Sequence, residues 1–282
     1  HAPIDMSFRG HPARKRFGQH WLRDERVLDQ IVAASDLVEQ DHVLEVGPGR
    51  GALTERLLAS SARCVHAVEL DRDLVAGLHA RFGADPRFSL REGDVLDVPL
   101  TLPHGLQATK VVANIPYNIT GPLLERLVGR LDRPVDPPYE RLVLLVQKEV
   151  AERIRARPGD SSFSALSVRM QLLARCESVC PVPPRCFQPP PKVQSEVIKL
   201  EPFSADQRPD PADCRRVESL LKQAFLSRRK MLRNTLAGVT PVGQLTELAR
   251  EAGIDLQQRP QDVAPACWVS LARGLNRAVS DG

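Results

Sequence analysis

A chain of 282 residues has room for one large domain and one small one. Its 42% hydrophobic and 26% charged residues exclude a disordered chain, and no apolar run approaches the ~20 residues of a membrane span. The net charge of +4 is modest, so its distribution says more than its size.

The opening residues lack the apolar core of a secretory signal, and 1–5 read as a cloning remnant ahead of Met6. A cytoplasmic protein is expected, and its six cysteines are expected to be free thiols. Arg9, Arg14, Lys15 and Arg16 form a basic arm. Residues 42–46 make a short apolar strand, followed by Gly47-Pro48-Gly49-Arg50-Gly51 and a helical stretch to 60. A second strand (64–70) and helix (71–82) follow, then strands at 88–93 and 110–113. Residues 141–146 are the most apolar run and are expected at the sheet centre. Such alternation predicts an α/β fold with a mostly parallel sheet covered on both faces.

A helix is expected at 162–175, and two β segments within 178–200, broken by prolines. Cys176, Cys180 and Cys186 lie close in sequence, but they form no C-x-x-C pair and have no nearby His, so no metal site is expected. Residues 201–211 are polar and proline-rich, and everything beyond has helical periodicity. The expected division is a main domain over 6–203, a linker over 204–212 and a helical domain over 213–282. The helical part carries Arg215, Arg216, Lys222, Arg228, Arg229, Lys230 and Arg233, opposed only by Glu218. Two nearly acid-free basic clusters point to a polyanionic partner.

Three features converge on one end of the expected sheet. Gly47 and Gly49 permit a tight turn and close approach of a ligand. Glu69 ends the second strand, where a carboxylate can accept from both hydroxyls of a ribose. Asp94, just past the third strand, can accept from an adenine amine. Dinucleotide and S-adenosylmethionine both fit such a crevice. The glycine spacing departs from G-x-G-x-x-G, and nothing nearby is arranged for a pyrophosphate, which favours S-adenosylmethionine.

The fourth strand ends in Asn114-Ile115-Pro116-Tyr117. The exocyclic amine of adenine is a poor nucleophile because its lone pair is delocalised into the ring. Acceptors for its N–H groups encourage a pyramidal nitrogen. The Asn114 side-chain oxygen and the Ile115 carbonyl are suited to this, with Pro116 fixing the turn. Tyr117 can lie flat on the base, a contact worth ~1–3 kcal/mol. The proton leaves an already cationic product, so no strong base is needed. The target base must be flipped out or single-stranded, and Phe187, in an expected rigid exposed loop, is the candidate for the second stacking face.

The segments "RFGQHWL" (16–22), "LEVGPGRGALT" (44–54), "AVELD" (67–71), "EGDVL" (92–96), "ANIPYNIT" (113–120), "LLVQKEVAERI" (144–154), "FQPPPKVQSEV" (187–197) and "AFLSRRKMLRNTL" (224–236) run nearly end to end. Together they closely resemble the KsgA family of rRNA adenine N6,N6-dimethyltransferases. The resemblance implies a Rossmann-like, seven-stranded S-adenosylmethionine-dependent methyltransferase domain with a small C-terminal all-helical domain. It implies dimethylation of two adjacent adenosines in the 3′-terminal hairpin of 16S rRNA during small-subunit biogenesis. The implied partners are 16S rRNA and the small-subunit precursor, with no membrane and a monomeric enzyme. By matched position the cofactor contacts fall on His20, Leu22, Gly47, Glu69, Asp94 and Asn114, joined by Gly49 from the loop. The chain has His20-Trp21 where the family often has Asn-Phe. The "SRRKMLRN" segment resembles an rRNA-contacting helix. Arg14, Lys15 and Arg16 join Arg228, Arg229, Lys230 and Arg233 as expected RNA contacts. Alternatives are a large-subunit rRNA adenine methyltransferase of the macrolide-resistance type and a non-catalytic nucleic-acid-binding relative. Intact Glu69, Asp94, Asn114 and Tyr117 weigh against the second, and the C-terminal basic segment against the first.

Overall fold

The structure, a computed structural model, describes residues 19–281. The basic arm with Arg14, Lys15 and Arg16, and the expected remnant at 1–5, lie outside the described residues. The chain divides into two compact units. The first takes residues up to Leu127 together with Tyr139–Ala151 and Glu177–Glu201.

A seven-stranded sheet organises this first unit. Its strands are β1 (His42–Val46), β2 (Cys64–Glu69), β3 (Phe88–Glu92), β4 (Lys110–Asn114), β5 (Arg141–Gln147), β6 (Ala174–Val182) and β7 (Ser195–Pro202). Their spatial order is β3-β2-β1-β4-β5-β7-β6. The first five run parallel, and β7 is antiparallel to β5. Helices α1 (Glu25–Ser35), α2 (Ala52–Ala59), α3 (Arg72–Phe82) and α4 (Thr120–Leu127) belong to the same unit, and α5 (Lys148–Arg155) follows β5. Asp24 caps α1 by accepting from the Val27 N–H at 3.0 Å, and Asp71 caps α3 by accepting from the Asp73 N–H.

The centre of the sheet is β4, so 141–146 does not hold the central place its apolar character suggested. Residues 142–146 are all buried, and β5 has a paired strand on each side. Continuous apolarity reports two covered faces, not centrality. A short antiparallel bridge outside the sheet pairs Trp21–Leu22 with Phe187–Gln188.

The second unit comprises Val128–Pro138, Glu152–Cys176 and the chain from Pro202 onward. It contains α6 (Ala165–Leu173), α7 (Pro211–Ala224), α8 (Leu232–Thr235), α9 (Val242–Glu251) and α10 (Pro265–Asp281). Helix α7 packs on α6 and α10 around a fully buried Trp268. Arg169 on α6 donates to both oxygens of Glu218 on α7, at 2.7 and 2.9 Å. Residues 152–176 belong to the same unit as the chain beyond Pro202. The "SRRKMLRN" segment is not one helix. A 3-10 turn at Phe225–Ser227 is followed by a break and the single turn of α8. At the break the Leu232 and Arg233 N–H groups donate to Gln258 and Leu256 carbonyls, at 2.8 and 2.9 Å.

Candidate active site

In an open α/β sheet, the crevice forms at the carboxyl ends of the strands where the strand order reverses. Here that point lies between β1 and β4. Parallel register then sets the neighbours. Val46 pairs with Ala113 on one side and Val68 on the other, so the residues that follow, Gly47, Asn114 and Glu69, stand level. Gly47 has φ +69°, and a Cβ there would lie 2.6 Å from the Asn114 carbonyl oxygen. Gly49 has φ +58°, and its Cβ would lie 2.7 Å from the Trp21 ring. Both positions require glycine on conformation and on space.

Around this turn lies a cavity of about 280 Å³. Glu69, 8% exposed, accepts from the Gly49 N–H at 3.2 Å and from the Asp71 N–H at 2.9 Å. Burial pushes its carboxyl up to about 7, against the pull of those N–H groups. Asp71 accepts from the Gln19 side-chain amide at 3.1 Å. Asp94 folds into a tight turn, its side chain accepting from the Leu96 N–H at 2.9 Å. On β1, Glu45 is fully buried and accepts from the Thr54 hydroxyl at 2.5 Å.

The "NIPY" turn forms the opposite wall. The Ile115 N–H donates to the Leu145 carbonyl at 3.1 Å, which continues the sheet one residue past Asn114. Pro116, at φ −57°, turns the chain into a 3-10 segment over Tyr117–Ile119. The Asn114 side chain makes no hydrogen bond among the described residues and borders the cavity. Tyr117 is partly buried, and its hydroxyl shares a 2.5 Å hydrogen bond with Ser195 Oγ.

Of the sequence-predicted residues, His20, Gly47, Gly49, Glu69, Asp94, Asn114, Ile115, Tyr117 and Phe187 all border this one cavity. Leu22 does not. It is a core residue facing a smaller neighbouring space behind the glycine turn. Phe187 reaches the cavity but is only 2% exposed, which corrects the expected exposed loop. The reason is its antiparallel pairing with Leu22, which draws the ring into the core. His20 Nδ1 lies 2.8 Å from the Pro189 carbonyl, and its ring stacks at 6.3 Å and 23° on Tyr117. Against a carbonyl, Nδ1 carries the proton. Leu70 and Asp71 also line the cavity without having been singled out from the sequence, and so does Trp21, the neighbour of His20 in the motif that departs from the family's Asn-Phe. Asp71 had a signal, an acid heading a helix directly after the Glu69 strand. Trp21 stood in the first motif, but its contact with Gly49 was not legible because it is long-range.

The basic residues separate by environment. Arg229, Lys230 and Arg233 are exposed. The Arg228 guanidinium instead donates to the Ser161 and Phe163 carbonyls, at 3.0 and 3.3 Å.

Among the described residues lining the cavity are three carboxylates, Glu69, Asp71 and Asp94, and no Lys or Arg. A pyrophosphate would meet three acids there with no Lys or Arg to offset them. A sulfonium and an ammonium carried by an adenosine meet complementary charge, and the glycine turn supplies the space. The residues therefore fit S-adenosylmethionine and not a dinucleotide. No group of His, Cys, Asp or Glu suited to a metal ion occurs among the described residues.

Comparison with known proteins gives concordant results. The family described as ribosomal RNA adenine dimethylase matches residues 10–277. Ribosomal RNA small subunit methyltransferase A of Synechococcus sp. (strain WH7803) is 79% identical over 98% of both chains. The protein of the same name from Prochlorococcus marinus (strain MIT 9313) is 72% identical over 97% of this chain and 98% of its own. Among solved structures, a dimethyladenosine transferase from Plasmodium falciparum superposes with a TM-score of 0.79 at 26% identity, covering 92% of this chain and 98% of its own. The 23S rRNA methyltransferase ErmE superposes with a TM-score of 0.74 at 28% identity, covering 91% and 99%.

Proposed function

The chain belongs to the ribosomal RNA adenine dimethylase family, and from that premise we propose that it dimethylates N6 of two adjacent adenosines in the 3′-terminal hairpin of 16S rRNA. It acts on rRNA of the small-subunit precursor, as a cytoplasmic monomer in ribosome biogenesis. The small-subunit assignment draws support from identities of 72–79% to proteins named for that subunit, against 28% to the large-subunit enzyme ErmE. No described helix is long and apolar enough to cross a membrane.

S-adenosylmethionine, when bound, supplies a methyl group on a positively charged sulfur. The chain's own residues do the rest. Glu69 accepts hydrogen bonds from the ribose hydroxyls, and Asp94 accepts from the cofactor's adenine amine. Gly47, Gly49 and the backbone beside His20 let the ligand lie close. Asn114 Oδ1 and the Ile115 carbonyl accept from the N–H groups of the target amine and hold its lone pair toward the methyl group. Tyr117 stacks on the target base, and Phe187 closes the slot from the core side. Arg229, Lys230 and Arg233, with the arm at Arg14, Lys15 and Arg16, hold the phosphates. Arg228 serves the fold of its unit instead. The two units act as the methyl-transferring part and an rRNA-gripping part.

One observation carries the reading: an Asn114 side chain with no hydrogen bond among the described residues stands level with the glycine turn and Glu69. The test is transfer of labelled methyl groups to small and to large ribosomal subunits lacking the modification. Dimethyladenosine is expected in small subunits only, with Asn114→Ala reducing the rate by roughly a hundredfold or more. Labelling of large subunits alone would overturn the substrate, and full activity in Asn114→Ala the mechanism.

A further inference from the structure

Tyr117 sits on a one-turn segment, a poor mount for a ring that must present a fixed face. Its backbone is held locally, by the Ile119 N–H on the Pro116 carbonyl and the Thr120 hydroxyl on the Tyr117 carbonyl. The far end of the ring is held from elsewhere. Its hydroxyl meets Ser195 Oγ at 2.5 Å, 78 residues away in sequence. Ser195 is 1% exposed and opens β7 opposite Gln147 of β5, so its position is set by the antiparallel ladder. Tyr117 is the only hydrogen-bond partner of its side chain among the described residues. His20 covers the ring at 6.3 Å and is itself tied to the Pro189 carbonyl. A buried serine in that place serves nothing in the sheet. An alanine would pair and pack equally well there.

We propose that Ser195 is a positioning residue for methyl transfer, pinning the Tyr117 hydroxyl to the rigid end of β7 so that the ring keeps a fixed face to the target adenine. The inference rests on the substrate reading above. Tyr117 meets the base, and Ser195 acts only through it. A stacking wall free to rock lets the amine drift from the line of the incoming methyl group, and misplacement of about 1 Å costs up to a hundredfold in rate.

The test compares Ser195→Ala, Tyr117→Phe, the double variant and Ser195→Thr with the unaltered protein. Methyl transfer to small subunits is expected to fall roughly tenfold to a hundredfold in kcat for Ser195→Ala, with cofactor affinity unchanged. Tyr117→Phe removes the same bond, so the double variant should fall no further than either single one. Ser195→Thr restores the hydroxyl and should recover most of the rate. The chain has only two tyrosines, so ¹³Cζ labelling gives two signals, assigned through Tyr139→Phe. Ser195→Ala should move the Tyr117 signal and leave that of Tyr139 in place. Multiplicative loss in the double variant, or wild-type kcat in Ser195→Ala, overturns the proposal. A Tyr117 signal unmoved in Ser195→Ala overturns it without any activity being measured. Failure of the substrate reading appears separately, as an unaltered protein that leaves small subunits unmethylated.

Discussion

At Glu45 the carboxyl is fully buried and one of its two oxygens has no hydrogen-bond donor among the described residues. Loss of water pushes its protonation up to about 8, with the Thr54 hydroxyl opposing and the Glu69 charge adding to the rise. Glu69 shifts in the same direction, to about 7. In the unfolded chain both titrate near 4.5. Between these values the folded form holds protons that the unfolded form releases. The stability linked to them is therefore complete below about 4.5 and is lost as pH rises through about 7 and 8. Without cofactor, Tm should fall between pH 5.5 and 8.5. Glu45→Gln, which imitates the protonated carboxyl, should keep the Tm of pH 5.5 and reduce the fall. Calorimetry at the two pH values decides, and an equally steep fall in the variant would contradict it. Glu69 was legible in the sequence as a strand-end acid. Glu45 was not, because one acid in an apolar strand does not reveal which way it points.

The turn from β1 into α2 is the element on which the site depends. Its glycines look from the sequence like ordinary tight-turn residues, and the register of β1 with β4 shows why they are required. A methyl group at Gly47 would press on the Asn114 backbone itself, the residue proposed to hold the target amine. Gly47→Ala should therefore destabilise the protein by about 1–3 kcal/mol and displace Asn114, with loss of methyl transfer beyond the loss of Tm. Gly77, within α3, has nothing within 4 Å of a built Cβ. Gly77→Ala should gain roughly 0.5–1 kcal/mol and leave activity unchanged. Thermal unfolding and methyl transfer on both variants distinguish a local collision from a general sensitivity to alanine. Strand and helix positions were legible here because their periodicity is local. The central place of β4 was not, since strand order is fixed by pairing partners far apart in sequence.

Across the whole molecule, charge divides between partner binding and folding. The basic cluster of the C-terminal part reads from the sequence as one surface, but its members have different tasks. Arg229, Lys230 and Arg233 face solvent, whereas Arg228 braces the carbonyls of 161 and 163. Glu218, the one opposing acid, is occupied by Arg169. Arg229→Ala should weaken rRNA binding and reduce the slope of log affinity against log salt by about one. Arg228→Ala should leave that slope nearly unchanged and lower stability by about 1–3 kcal/mol, from the two carbonyls it abandons. Binding over a salt series together with thermal unfolding separates the two roles, and equal slopes for the two variants would refute the division.

The α/β class, the strand-turn-helix order, the glycine turn, the two strand-end acids and the amide that closes β4 are all legible along the chain. Each is written in contiguous residues whose chemistry is set by their own backbone. What lies across from them is set by the folded chain. Folding buried Phe187 through its pairing with Leu22, set Trp21 against Gly49, turned Arg228 inward and joined Tyr117 to Ser195. Those contacts bridge tens of residues or more, and no local pattern encodes them, because each depends on which strands the folded sheet brings side by side.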